Sequence, residues 1–441
     1  MPVDASNIEA RTIAKVTWRL VPFLILCYFV AYLDRVNVGF AGLTMRTDLG
    51  LSASAFGLAS GIFFIAYFIF EVPSNLLLER FGARRWIARI MFTWGLVSAG
   101  TVFVGGEYSF YVQRVLLGLA EAGFFPGIIF YLTLWFPQKY RGRIVGYFMA
   151  AIPASSVIGA PLSSALLYLN GYWGLKGWQW MFLVEALPAL ILAYVVLRYL
   201  TDRPADARWL APDEKAWLAQ RLESEARERT AARHFSVRDA LTNPRVLLLA
   251  LVYFGAVATN YGIGFWLPQI IQGFGGLSNI QIGLITALPY IVGLVSIVLW
   301  SRHSDAKRER TAHVAIPLAV SVVSITAAAL IHDPVLKMAA LTVTGFGAFA
   351  VVGVFWTLPA AFLTGPAAAA GIAIINALGN LSGFAGPYAM GWIKDATGSF
   401  SYGLLVIAAL AFISMVTVLL LGHDPALETV AEAGKAKGFA P

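Results

Sequence analysis

The chain has 441 residues, of which 59% are hydrophobic and only 13% charged, and its mean hydropathy is +0.73. A soluble domain carries about a quarter of its residues as charges, so a water-soluble globular protein is excluded. The net charge of +8 could suit a nucleic-acid binder, but most Lys and Arg fall in segments that alternate spans place on one side, which is the positive-inside pattern of membrane topology.

Residues 1–19 hold Asp4, Glu9, Arg11, Lys15 and Arg19 without a small-residue cleavage site, so no cleavable leader is expected. From Leu20 onward, apolar runs of at least about 18 residues recur, each long enough to cross a ~30 Å bilayer core. Twelve are counted, centred near residues 30, 67, 95, 122, 155, 188, 257, 290, 322, 349, 379 and 411. Runs of that length satisfy their own backbone in lipid only as helices. The predicted fold class is an all-α polytopic membrane protein of twelve transmembrane helices in two six-helix pseudo-symmetric bundles. Residues 1–200 form the first bundle and 243–422 the second, with a cytoplasmic linker at 201–242 and a cytoplasmic tail at 423–441. The charge bias places both termini in the cytoplasm. The single Cys27 lies in the first span and leaves no intramolecular disulfide to form.

The first span carries Tyr32-Leu33-Asp34-Arg35-Val36-Asn37-Val38-Gly39. An isolated charge at bilayer depth costs at least about 2.5–3.5 kcal/mol, so such residues face a partner or a wet cavity. The second span contributes Tyr67 and Glu71 and ends in the arginine-rich turn Glu79-Arg80-Phe81-Gly82-Ala83-Arg84-Arg85. The fourth carries Arg114 and Glu121. Seven residues make two helical turns, which puts both side chains on one face about 10 Å apart along the axis. Each is therefore expected to find a partner on another helix, and Asp34 and Arg35 are the partners at hand. Two acids and two bases then form one network. Either it is a fixed lock, or it couples a ligand to a proton, because an anion moving onto an arginine changes which carboxyl holds the proton.

The fifth span holds Ser155 and Ser156 and the sixth Glu185, near the external Gly177-Trp178-Gln179-Trp180. Glu71 and Glu185 lie nearer helix ends and are read as structural or gate residues. In the linker, Asp213 before Glu214-Lys215 reads as a helix cap, and Trp217, Leu218 and Leu222 recur at helical spacing, which predicts a surface helix. The seventh span carries Asn260-Tyr261, and the eleventh carries Asn376 and Asn380 one turn apart on one face. These amides and hydroxyls either bond across helices or form the uncharged wall of a substrate site suited to a hydroxylated anion.

A shift of 226 residues takes Glu79 to Asp305, Ser156 to Ser382, Pro161 to Pro387 and Asp34 to Asn260. That indicates repeated halves, as in transporters with a midplane site. Under the same shift Arg35 becomes Tyr261, Arg114 becomes Ala340 and Glu121 becomes Gly347. A scaffold role belongs in both halves, so the asymmetry favours function. The charged turns at Glu79, Arg80, Arg84 and Asp305 are read as cytoplasmic gates. His234, His303, His313, His332 and His423 lie in loops or at span ends, so protons are expected to ride on carboxylates. No nucleophile–base pair, metal-ligand set or phosphate loop points to an enzyme. No catalytic residue, metal or cofactor beyond the coupling proton is expected.

The turn Glu79-Arg80-Phe81-Gly82-Ala83-Arg84-Arg85, its echo at Asp305, and Arg114 with Gly118 resemble the signature turns and span-four motif of the major facilitator superfamily. Tyr32-Leu33-Asp34-Arg35-Val36-Asn37, Phe70-Glu71-Val72-Pro73-Ser74-Asn75, Ala120-Glu121-Ala122-Gly123-Phe124-Phe125-Pro126-Gly127 and Gly177-Trp178-Gln179-Trp180-Met181-Phe182 resemble its anion:cation symporter branch. That branch includes bacterial transporters of tartrate, sugar acids and aromatic acids, and, more distantly, the vesicular glutamate transporters. The resemblance covers essentially all twelve spans. It implies alternating access and proton-coupled import of a small organic anion, with Arg35 on the substrate carboxylate, Asp34 and Glu121 as protonation sites, Arg114 supporting Glu121 and Tyr67 lining the pocket. The chain departs from the pattern at the first turn, which has Asn75 and Glu79 where the family has Gly and Asp. Its span five, Gly159-Ala160-Pro161-Leu162-Ser163-Ser164, lacks the glycine-rich run of drug antiporters. The expectation is a monomeric inner-membrane symporter of a tartrate-like or sugar acid, with an aromatic-acid importer or a drug antiporter as alternatives. Its partners are the anion and the lipid bilayer, not nucleic acid.

Overall fold

In the computed structural model the chain is described over residues 5–230, 242–307, 309–362 and 366–422, and every regular element there is a helix. The Glu79 side chain, His234, residues 231–241 of the expected linker, and the expected tail at 423–441 with His423 lie outside the described residues. The helices are α1 (Ala5–Asp48), α2 (Ala53–Phe81), α3 (Ala83–Ala99), α4 (Glu107–Glu121), α5 (Phe124–Thr133), α6 (Gln138–Met149), α7 (Ala151–Leu166), α8 (Gly177–Tyr199) and α9 (Pro212–Thr230). They continue as α10 (Pro244–Gly264), α11 (Leu267–Gln272), α12 (Asn279–Lys307), α13 (Thr311–Leu330), α14 (Pro334–Phe355), α15 (Thr357–Phe362), α16 (Pro366–Asn380), α17 (Ser382–Thr397) and α18 (Ser401–Leu421).

Among the described residues, eleven helical segments are long and apolar enough to cross a membrane. The remaining expected span, around residue 379, is two consecutive helices of 15 and 16 residues, α16 and α17, which meet at Leu381. The chain divides into two compact units. One comprises Met1–Leu51, Leu58–Ala232 and Ser278–Gly283; the other comprises Ser52–Gly57, Arg233–Leu277 and Leu284–Pro441. In the first, α1 packs on α7 and α8, and α3 on α8. In the second, α10 packs on α16, α17 and α18, and α13 on α14 and α18.

The fourth span is interrupted where chemistry is expected. Pro126 has no N–H to give the carbonyl of Ala122, and its ring crowds that carbonyl, which favours a break or kink here. Ala122 leaves the helical region with φ −53° and ψ 132°, and Gly123 takes the left-handed conformation at φ +85°. A new helix, α5, starts at Phe124. Glu121 is therefore the last residue of α4. A Cβ on Gly123 would also lie 2.3 Å from Ser74 Oγ. Gly123→Ala should cost about 1–2 kcal/mol for the left-handed backbone alone, with the Ser74 clash added. A lowered thermal midpoint of the purified protein, partly recovered in Gly123→Ala/Ser74→Gly, checks this. Gly118, one turn before the end of α4, lets α4 press on α2: a Cβ there would sit 2.3 Å from the Phe63 carbonyl oxygen.

The predicted surface helix is present as α9, but its cap is not Asp213. Pro212 opens the helix, and Glu214 reaches back to accept from the Ala211 N–H at 2.8 Å. Asp213 sits inside the first turn and takes Arg11 Nη2 at 2.6 Å. Glu214 also takes Arg11 Nε and Lys15 Nζ, both at 3.0 Å, which fixes α9 to α1. Burial alone raises the Glu214 carboxyl, but the Ala211 N–H, Lys15 and Arg11 outweigh it and hold it below the usual carboxylate range. A carboxyl lowered on folding stabilises the folded form above its unfolded value, about pH 4.3, and loses that effect as pH falls through the folded value. Glu214→Gln should therefore speed amide exchange across Pro212–Lys215 at neutral pH. Wild type and variant should converge in acid.

Candidate functional site

The N-terminal unit buries its charges where α1, α2, α3 and α4 come together. Asp34 and Arg35 are neighbours in sequence, and neighbouring helical residues point about 100° apart. Arg35 therefore turns to α4, where its Nη2 donates to Glu121 Oε1. The two side chains are 10% and 1% exposed. A buried pair of this kind barely offsets its desolvation, but removing one partner strands the other at a cost of about 3–5 kcal/mol. The Arg35 guanidinium is also ringed by aromatic faces, with Tyr67 at 5.2 Å, Phe63 at 5.5 Å and Tyr32 at 5.8 Å. Such faces attract a cation through their quadrupoles. Glu71, one turn beyond Tyr67, is close enough to Arg35 to interact electrostatically with it; its sequence position had suggested a structural or gate residue.

Asp34 turns to α3. Its Oδ1 accepts from Ser98 Oγ at 2.5 Å and from Asn37 Nδ2 at 3.2 Å. Arg114 is 1% exposed, gives Nε to the Ala59 carbonyl at 3.3 Å, and lies 5.0 Å from the Phe63 ring. It is close enough to Asp34, Glu121 and Arg35 to interact electrostatically with each. The four expected charges are thus gathered, but with one direct ion pair. Asp34 is held by neutral donors, and Arg114 is held by backbone. Ser98, Asn37, Phe63 and Tyr32 complete the cluster without having been singled out. Asn37 was legible, since it follows Asp34 by one turn within the first-span motif; Ser98 comes from another helix and leaves no local signal.

The other expected residues fall into separate settings. Ser155 Oγ donates to its own helix at Ile152 O (2.7 Å), while the buried Ser156 Oγ has no hydrogen-bond partner among the described residues. In the C-terminal unit, Asn380 Nδ2 donates to Asn376 Oδ1 at 3.1 Å, and Asn260 Nδ2 to the Ala348 carbonyl at 3.2 Å. Tyr261 is buried and stacks on Phe265 with centroids 5.8 Å apart. Of the charged turns, Arg84 gives its N–H to Asp202 Oδ1 at 2.8 Å and brings Nε to 3.6 Å from Oδ2. Arg80 lies 5.7 Å from the Phe81 ring, and Asp305 pairs with Arg310 at 2.7 Å. His303 and His313 prove to be in contact, Nδ1 to Nε2 at 2.8 Å, with Glu309 2.6 Å from His313 Nδ1. Burial pushes the Glu309 carboxyl up, but the Ala312 N–H and His313 together hold it below the usual range. Among the described residues no group of three or more His, Cys, Asp or Glu is placed to hold a metal ion.

A family model for the Major Facilitator Superfamily matches residues 24–387. The chain belongs to the major facilitator superfamily. It is a multi-pass membrane transporter and not an enzyme. An Agrobacterium vitis protein named "Putative tartrate transporter" is 52% identical over 422 residues, which cover 96% of this chain and 94% of that one. An Acinetobacter baumannii protein named "Quinolone resistance transporter" is 43% identical over 410 residues, covering 93% and 94%. Among solved structures, the E. coli xylose transporter XylE in a partially occluded inward open conformation shares the fold, with a TM-score of 0.73 at 14% identity over 92% of this chain and 99% of that one.

Proposed function

We propose that this major facilitator transporter imports a small organic anion, of the tartrate or sugar-acid class, together with protons. The observation that carries the reading is the buried Arg35–Glu121 pair with Asp34 beside it. A substrate carboxylate can replace Glu121 on the guanidinium only if the Glu121 charge is first neutralised, and a proton does that. Asp34 is the second protonation site, and Arg114 supplies positive potential to both acids. Tyr67 lines the anion side of Arg35. Asn260, Tyr261, Asn376 and Asn380, with Ser155 and Ser156, are the candidates for hydroxyl recognition, since each brings amide or hydroxyl groups to bilayer depth. Arg80, Arg84, Glu79 and Asp305 serve as cytoplasmic gates in the alternating-access cycle. The distribution of basic residues supports an inner-membrane location with both termini cytoplasmic, and the protein works as a monomer with the proton in place of any cofactor.

The Acinetobacter relative favours a second reading, export of an aromatic carboxylate against protons; the rings around Arg35 suit such a guest. Purified protein in sealed vesicles separates the two. Import predicts that external L-tartrate or a sugar acid alkalinises the medium and accumulates when the outside is acid. Export predicts acid-driven loss of a preloaded quinolone and no response to tartrate, which would remove the import reading.

A further inference from the structure

Glu185 is a buried acid without a role in the cycle above. It lies in α8, is 1% exposed, and its Oε1 accepts from Ser163 Oγ of α7 at 2.6 Å. Its Oε2 is buried with no hydrogen-bond partner among the described residues. The group it faces from α1 is Asp34, with Asn37 between them. Asn37 is fully buried, gives its amide N–H to Asp34, and has an Oδ1 without a partner among the described residues. Asp34 Oδ2 is likewise unpartnered there. The Asn37 amide thus approaches both acids, Asp34 at 3.2 Å and Glu185 on its other side. In this row Glu185 Oε2, Asn37 Oδ1 and Asp34 Oδ2 each lack a hydrogen-bond partner among the described residues; all three are acceptors once the acids are ionised. A buried polar group without its hydrogen bond costs about 1–3 kcal/mol, so the hydrogen missing from this row is most simply an acid proton.

Arg114 acts on the Asp34 end of this row, but among the described residues no cation acts on the Glu185 end. Of the elements packed on α8, α7 carries no acid or base, and the short turns Gly100–Phe103 and Leu167–Leu169 offer only the exposed Tyr168 phenol. The basic residues of α3, Arg84, Arg85 and Arg89, stand at its opposite end from Ser98, about two turns or more away. On α1, Arg35 is taken by Glu121, and Arg46 stands in the last turn, about two and a half turns beyond Asn37.

We infer that Glu185 is an additional proton-exchanging carboxyl, joined to Asp34 through the Asn37 amide. The amide can present its N–H to one carboxylate and its carbonyl to a protonated acid on the other side, and it can rotate to exchange the two roles. A proton gained at Asp34 then favours loss of one at Glu185, so the pair titrates as a unit. This rests on the proton-coupled reading for its place in transport, while the titration itself does not depend on any substrate.

The test is infrared difference spectroscopy of the purified full chain taken from about pH 9 to about pH 5, a range that spans perturbed carboxyl values. Glu185→Gln should lack one pH-dependent carboxylic-acid C=O band of the wild type, and Asp34→Asn should move the midpoint of that band. A Glu185→Gln spectrum that keeps every titrating carboxyl band overturns the inference. Ser163→Ala retains the acid and removes one hydrogen bond, so it reports on the same band should Glu185→Gln not fold; a band identical to wild type in Ser163→Ala overturns it equally. In vesicles where the wild type shows acid-driven uptake of L-tartrate, Glu185→Gln should move one proton fewer per anion while exchange persists. Absence of acid-driven uptake in the wild type removes the transport reading alone, and the spectra still decide whether Glu185 exchanges a proton.

Discussion

Arg35→Ala is expected to abolish carboxylate uptake in reconstituted vesicles and to weaken anion binding at least ~10–100-fold, the worth of a charge-assisted hydrogen bond of about 1.5–3 kcal/mol. The guanidinium is the cation directly paired within the buried cluster, whereas Arg114 gives its Nε to the Ala59 carbonyl and packs on Phe63. The variant should also melt earlier. Glu121, 1% exposed, loses its counter-charge, and a stranded buried charge costs about 3–5 kcal/mol. Lost uptake alone could then mean lost protein, so the decisive form is Arg35→Gln combined with Glu121→Gln. That double variant removes both charges and should recover much of the thermal stability without recovering binding. If anion binding survives in Arg35→Ala or returns in the double variant, Arg35 is a packing residue and the substrate site lies elsewhere.

How much of this was legible in the chain depends on whether a feature is local or long-range. The apolar runs announce the spans because length and hydropathy are one-dimensional properties. The break in span four was visible in principle: Ala122-Gly123-Phe124-Phe125-Pro126 contains both the residue that cannot donate and the residue that can turn left. Its consequence, that Glu121 ends a helix instead of sitting within one, needs the backbone. The pairing of charges was half legible. Seven-residue spacing put Arg114 and Glu121 on one face, but which base takes Glu121 depends on how α1 is rotated against α4, and rotation leaves no local mark. The same reason hides Ser98 from Asp34 and Ser163 from Glu185. Asp213 was misread as a cap because Asp is a favoured cap residue, whereas Pro212 at the first helical position and Glu214 reaching back form the stronger signal at that end. The charged turns show a further limit. Arg84 was read as part of a charged gate, but its partner Asp202 lies more than a hundred residues on and leaves no local signal.

Glu121→Gln separates binding from energy coupling. In the wild type Glu121 occupies Arg35, and on the proposed cycle an incoming carboxylate competes with it whenever Glu121 is ionised. Acidification removes the competitor, and anion affinity should fall as pH rises, by up to about tenfold per pH unit for one linked proton. Linkage is reciprocal, so the anion must bind the proton-bearing form better to the same degree. Glutamine has the shape of the protonated acid and cannot ionise. In Glu121→Gln, Arg35 is open to the anion at every pH, and the slope of affinity against pH should flatten by one proton. Counterflow, which moves labelled anion against unlabelled anion without net proton movement, should persist and show that the protein is folded. Net accumulation driven by an acid exterior should be lost, because the proton that neutralised Glu121 no longer travels with the anion. Accumulation and pH slope identical to wild type would sink the coupling role and leave Glu121 as a structural clamp on Arg35. A flattened slope with surviving accumulation would instead assign the driving proton to Asp34, the other acid within reach of Arg114.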